Sequence, residues 1–159
     1  MLTIETARLR LTLETTEAVL ARIEELSPAD RAEVSPDWIA RMRNTPPGPW
    51  THGFAMLERG SDTSVGSCGY KGPADADGMV EIAYMVEPVH RGRGYAKEAV
   101  AALIQFARKA GAHKVRAHTR PENGASAGVL MACGFEHMGE VVDPEDGLVW
   151  RWDYVLQAP

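Results

Sequence analysis

An apolar run, Val80-Glu-Ile-Ala-Tyr-Met-Val86, leads past Pro88 into a turn spaced by two glycines, Arg91-Gly92-Arg93-Gly94-Tyr95-Ala96. After it, Ala96, Ala99, Val100, Leu103, Ile104 and Ala107 recur at helical spacing. A strand, a glycine turn and an amphipathic helix in that order commit the chain to layered α/β packing. They also create an anion site. The first backbone N–H groups of the helix have no partner within it, and its dipole adds about half a positive charge there. Gly92 and Gly94 remove the Cβ atoms that would hold a bulky polyanion away. The turn is therefore expected to bind a phosphorylated ligand.

The turn lacks the G-x-x-x-x-G-K-[ST] of a phosphate-binding loop. It also fails as a dinucleotide fingerprint: Lys97 stands where the third glycine belongs, and no acid occurs from Ala112 to His118. Arg91, Gly94 and Ala96 do fill the fixed places of [RQ]-x-x-G-x-[GA]. Downstream come Asn123-Gly-Ala-Ser126 and Gly134-Phe135; upstream is Thr6-Ala-Arg8-Leu9-Arg10-Leu11, and near the end Trp152-Asp153-Tyr154. In this order the segments resemble the GNAT N-acetyltransferase superfamily, in its ribosomal-protein-alanine (Rim-like) branch, from about residue 5 to 155. The specificity lies in the ordered set, since the six-residue signature alone is weak.

Composition sets limits without naming a substrate. The 159 residues suit a single domain, here 1–159, and 45% hydrophobic residues suffice for a core. A net charge of −5 gives no electrostatic case for nucleic acid. Two cysteines, Cys68 and Cys133, make no disulfide framework, and the five histidines lack metal-ligand spacing, so no metal is expected. No apolar run is long enough for a membrane span, and Glu5, Arg8 and Arg10 interrupt any signal-peptide pattern. The expectation is a cytoplasmic protein, monomer or homodimer, with no membrane partner.

Leu9, Leu11 and Leu13 alternate as a strand. Thr15 or Thr16 caps a helix running to Leu26, which Ser27-Pro28 ends, and Ser35-Pro36 opens another. Further strands are expected over 52–58, 64–71, 80–86, 114–119, 135–141 and 149–156, with a short helix over 124–133. The fold expected is mixed α/β: a mostly antiparallel twisted sheet of about seven strands, flanked by about four helices, with one parallel crossover from Val80 to Val115. The GNAT resemblance implies the same arrangement.

The resemblance also implies chemistry: acetyl transfer from acetyl-CoA to a primary amine, either a peptide N-terminus or a small molecule. Met85 and Val86 occupy the stretch that pairs with the pantetheine arm. Arg91, Gly92, Arg93, Gly94, Tyr95 and Ala96 would hold the pyrophosphate. Asn123 is either a helix N-cap or a coenzyme contact. Many family members place a tyrosine seven residues after that Asn to protonate the leaving thiolate; here it is Leu130, leaving Ser126 as the candidate acid. Glu81 is the candidate base, sharing a strand face with Met79, Ala83 and Met85, since carboxylates among apolar neighbours become better bases. Its alternative is a structural carboxylate paired with an Arg or Lys of a nearby strand, such as Arg116. The acceptor pocket is expected from about residues 27–50 and 142–148. There Asp143, Glu145 and Asp146 would attract a cationic amine or simply form a solvated hairpin tip, and Trp38 and Trp50 would wall the pocket or pack in the core. Two other readings stay open: an acyl-CoA-binding protein without catalysis, and a nucleotide-binding module using the same turn.

Overall fold

A computed structural model describes residues 2–144 and 146–156. Among them, eight strands form one sheet: β1 (Thr3–Glu5), β2 (Leu9–Leu13), β3 (Phe54–Glu58), β4 (Ser64–Tyr70), β5 (Met79–Val86), β6 (Lys114–Thr119), β7 (Glu136–Asp143) and β8 (Gly147–Val155). Their spatial order is β1-β2-β3-β4-β5-β6-β8-β7. The helices are α1 (Thr16–Glu24), α2 (Pro28–Ala32), α3 (Pro36–Asn44), α4 (Tyr95–Lys109) and α5 (Gly124–Ala132), with a 3-10 turn over Pro88–His90. Every neighbouring pair is antiparallel except β5 and β6, which are parallel and joined through α4. The sheet gains β1, a three-residue edge too short to alternate visibly, and the helices gain α2.

The helix boundaries follow their caps. Thr15 Oγ1 accepts from Ala18 N at 3.1 Å, and Ser35 Oγ from Trp38 N, with Pro36 in the first turn. The expected helix to Leu26 stops at Glu24 instead. Ser27-Pro28 does not merely end it: Ser27 caps α2, accepting from Asp30 N at 3.2 Å. Proline cannot continue a helix but is well suited to start one, so one signal serves both ends.

Leu9 and Leu11 of β2, Val80 and Ile82 of β5, Val115 and Ala117 of β6, and Ala99, Val100, Leu103 and Ala107 of α4 are buried together. The Tyr70 hydroxyl donates to the Leu103 carbonyl at 2.6 Å, tying α4 to β4; burial raises that phenol's pKa. No helix among the described residues is long and apolar enough to cross a membrane.

One irregularity positions the site. β5 and β6 are paired only at Met79↔Lys114, Val80↔Val115 and Glu81↔Arg116. Beyond these, β5 stays with β4 and β6 with β8. The two parallel strands part, leaving one edge of β5 open.

Candidate active site

The ladder fixes what that open edge offers. Lys71 N donates to Glu81 O, and Glu87 N to Val65 O, both at 2.8 Å. In an antiparallel pair the hydrogen-bonded residues alternate. The odd-numbered residues of β5 thus turn their amides to β4, and Ile82, Tyr84 and Val86 turn theirs to the gap. Met85 therefore has its backbone engaged opposite Ser67, and only its side chain, about half exposed, faces the groove. The Val86 carbonyl accepts from Arg91 Nε at 3.0 Å, folding the turn back against the strand end.

A groove of about 480 Å³ follows this edge and continues into the turn. Arg91, Gly92, Gly94, Tyr95, Ala96 and Lys97 line one end; Asn123, Ser126, Gly128 and Val129 of α5 and its cap line the side. Gly92 and Gly94 have φ of +78° and +81°, the left-handed region that glycine adopts without penalty. A Cβ at Gly92 would meet nothing within 4 Å, so the backbone there is open to a ligand. Tyr95 is buried: Arg8 lies over its ring, and its hydroxyl donates to Glu58 Oε2 at 2.5 Å. Its contribution to the groove comes from the start of the α4 backbone. Arg93 is directed to the Tyr95 hydroxyl and Glu58, away from the groove lining. Glu98 braces the turn from behind, accepting from Thr6 Oγ1 and from Arg8 N and Nε.

Asn123 caps α5, its Oδ1 accepting from Ser126 N at 3.1 Å, while it also lines the groove. Leu130 is fully buried. The Tyr84 hydroxyl donates to the Ser126 carbonyl at 3.1 Å. Burial pushes that phenol up to about 12.

Two smaller cavities adjoin the groove, and Tyr84 lines all three spaces. The first, about 240 Å³, is walled by Lys71, His118, Arg120, Ser126 and Asp146. The second, about 260 Å³, is walled by Glu14, Arg22, His52, Tyr70, Lys71 and Met85. Glu81 lines neither; it lies behind Lys71 and His118, which do. Its Oε2 is 3.1 Å from Lys71 Nζ and 3.0 Å from His118 Nδ1. Arg151 Nε donates to His118 Nε2 at 3.1 Å. Arginine can only donate, so Nε2 is the acceptor and the imidazole proton sits on Nδ1, facing Glu81.

Residues 7–136 match the family model described as an acetyltransferase (GNAT) domain. The chain belongs to the GNAT acetyltransferase family. It is 30% identical over 93 residues to the N-acetyltransferase p20 of Bacillus licheniformis, covering 58% of this chain and 52% of that one; the match thus spans about half of that curated relative. Among solved structures, the ribosomal-protein-S5-alanine acetyltransferase of Vibrio fischeri superposes with a TM-score of 0.71, 18% identity and coverage of 98% and 97% of the two chains. A spermidine N-acetyltransferase chimera from Vibrio cholerae and hSSAT gives 0.74, 16% identity and 94% and 96% coverage. At these identities the two structures speak for the fold.

Within this GNAT chain, several sequence expectations shift. Glu81 is paired with a cation, as its structural alternative has it, but that cation is Lys71 at 3.1 Å; Arg116 grips Asp153 at 2.8 and 3.1 Å. The neighbours of Glu81 are not purely apolar, because Lys71 and His118 close on it from flanking strands. None of residues 27–50 lines the two cavities; α1 and Thr51–Gly53 do so in their place. Trp50 packs on Tyr70 and Phe106 with ring centroids 4.7 and 5.7 Å away, and Trp38 is half-buried on α3, lining neither cavity. Asp146 sits 3.6 Å from Arg120, so its charge is answered locally; Glu145 lies outside the described residues. Cys68 is buried, its thiol pushed up to about 12 by burial and so unreactive. Cys133 is only half-buried, its thiol facing the Lys97 carbonyl. His52, a lining residue, has both ring nitrogens on the hydroxyls of Thr16 and Thr51, and burial lowers its pKa against the raising influence of Glu14. No group of three or more metal-ligating side chains occurs among the described residues.

Proposed function

We propose that this GNAT chain transfers an acetyl group from acetyl-CoA to a primary amine, with a peptide N-terminus as the acceptor. The observation that carries this is the open edge of β5 running straight into the Gly92–Ala96 backbone at the start of α4. An arm containing two amides matches an unpaired strand edge, and a pyrophosphate matches a helix N-terminus beside Arg91. Bound there, acetyl-CoA supplies an acetyl group already activated as a thioester.

The chain's own groups do the rest. The outward amides of Tyr84 and Val86 hold the arm, and one N–H polarises the thioester oxygen. Glu81 accepts the proton that the amine loses as its new N–C bond forms. Lys71 and His118 stand between Glu81 and the cavity, so a water carries that proton across. As the C–S bond breaks, the Ser126 hydroxyl at the groove wall protonates the sulfur and regains a proton from solvent. Tyr84, with its proton held on the Ser126 carbonyl, fixes α5 against β5 so that both faces of the groove keep their spacing.

Thiol release from acetyl-CoA tests this reading, with peptide amines, spermidine and an aminoglycoside offered in parallel and ATP or NAD as competitors. Peptide turnover untouched by either nucleotide supports it. Turnover with small amines alone removes the peptide assignment. Tight acetyl-CoA binding without any turnover makes the chain a coenzyme-binding protein.

A further inference from the structure

Resting on the acetyl-transfer reading, the charge lining of the acceptor side narrows its substrate class. The cavities on either side of Tyr84 share Lys71 and Ala83. In two ion pairs there the cation is exposed and its carboxylate is hidden. Lys71 is 53% exposed against 23% for Glu81, and Arg22 is 50% exposed against 8% for Glu14. The third pair, Arg120 and Asp146, is open at both ends and neutral as a unit. An incoming molecule therefore meets ammonium and guanidinium first. This is the reverse of the lining a polycation needs.

We infer that the acceptor is an amine carrying a carboxylate a few bonds away, and that Lys71 receives that carboxylate. The Lys71 ammonium retains donors beyond the one directed at Glu81. It lies at the junction of the two cavities, just after β4, the strand paired with the other edge of β5. A cation there has a second consequence. It disfavours the protonated form of a nearby amine, so the group that anchors the substrate also favours its nucleophilic form. Two sources share this chemistry: a peptide N-terminus followed by an acidic side chain, and a small free aminocarboxylate.

The test compares kcat/KM for amidated peptides beginning Ala-Asp, Ala-Asn and Ala-Lys, and for β-alanine against its amide. Calorimetry of the same acceptors is carried out on the coenzyme-loaded protein. A charge-assisted hydrogen bond predicts at least about a tenfold preference for the acid over its amide, expressed in KM and in binding. The preference should shrink with added salt, vanish in Lys71→Met and survive in Lys71→Arg. Preference confined to the peptide pair or to the β-alanine pair identifies the source. Equal use of acid and amide, preference for Ala-Lys, or an acid preference that persists unchanged in Lys71→Met overturns the inference while leaving acetyl transfer standing. No turnover with any amine overturns both.

Discussion

Glu81 and His118 bond across a gap in the sheet, Oε2 to Nδ1 at 3.0 Å, just past Glu81↔Arg116, the last backbone pairing of their strands. A side-chain contact takes over where the ladder stops. Because Arg151 fixes the ring from its other nitrogen, the position of the Glu81 carboxylate depends on β8 as well as on β6. Glu81→Gln should lower kcat/KM by about 10- to 1000-fold at pH values where the amine is protonated. Higher pH should restore part of the loss, since free amine is then abundant. His118→Leu should lower kcat in the same sense but less, and both variants should keep their acetyl-CoA affinity. A pH–rate profile unchanged by Glu81→Gln would make that carboxylate structural.

The phosphate end has its own test. Gly92 is in the left-handed region, which Asp tolerates better than most residues, and a side chain there would meet nothing within 4 Å. Gly92→Asp should therefore fold, with a Tm somewhat below the parent because the left-handed backbone strains any side chain, while placing a carboxylate in the phosphate seat. Acetyl-CoA titration should weaken by at least about tenfold, the loss of one charge-assisted contact. Gly94 is a poorer choice, because an added Cβ would lie 3.1 Å from Arg8 Nη2. Undiminished binding in Gly92→Asp would move the coenzyme away from this turn.

Much of this site was legible in the chain because its signals are local. The turn from Arg91 to Ala96, the helix after it and the Asn123 cap each rest on residues a few positions apart. The strand of Val80 to Val86 was legible too, but not which of its amides faced outward. That depends on the register with β4, where Lys71 pairs with Glu81. Lys71 and His118 carry no local signal for the same reason: one follows β4, the other lies inside the end of β6, and they meet Glu81 only through sheet order. Alternation places Tyr84 on the face of Ile82 and Val86, and nothing local marks it for the groove; the parting of β5 from β6 is what opens it. At Ser27-Pro28, one dipeptide both stops α1 and starts α2, and sequence alone favours the stop.

Stability has a separate anchor. Asp153 is buried, held by Arg116 through two hydrogen bonds and with Lys114 Nζ 3.6 Å away. Burial pushes its carboxyl up, but the Arg116 bonds and the surrounding cations outweigh that and hold it below the ordinary 3.8. A depressed folded pKa contributes stability above the unfolded value, and that stability is lost as pH falls through the folded one. Asp153→Asn leaves Arg116 without its counter-charge and should cost about 3 kcal/mol at pH 7. Urea unfolding at pH 7 and again near pH 3 checks the sign: the gap between parent and variant should narrow in acid. A gap that is constant or grows would mean that the Asp153 charge contributes nothing.

The most direct test of acetyl transfer is mass spectrometry of the product. A peptide with a free N-terminus, and the same peptide with that amine blocked, are incubated with acetyl-CoA and the protein. The account predicts one acetyl group on the α-amine of the free peptide, none on the blocked one, and an equal amount of coenzyme A released. Coenzyme retained in the groove with both peptides unmodified, under conditions where titration shows acetyl-CoA bound, would contradict it.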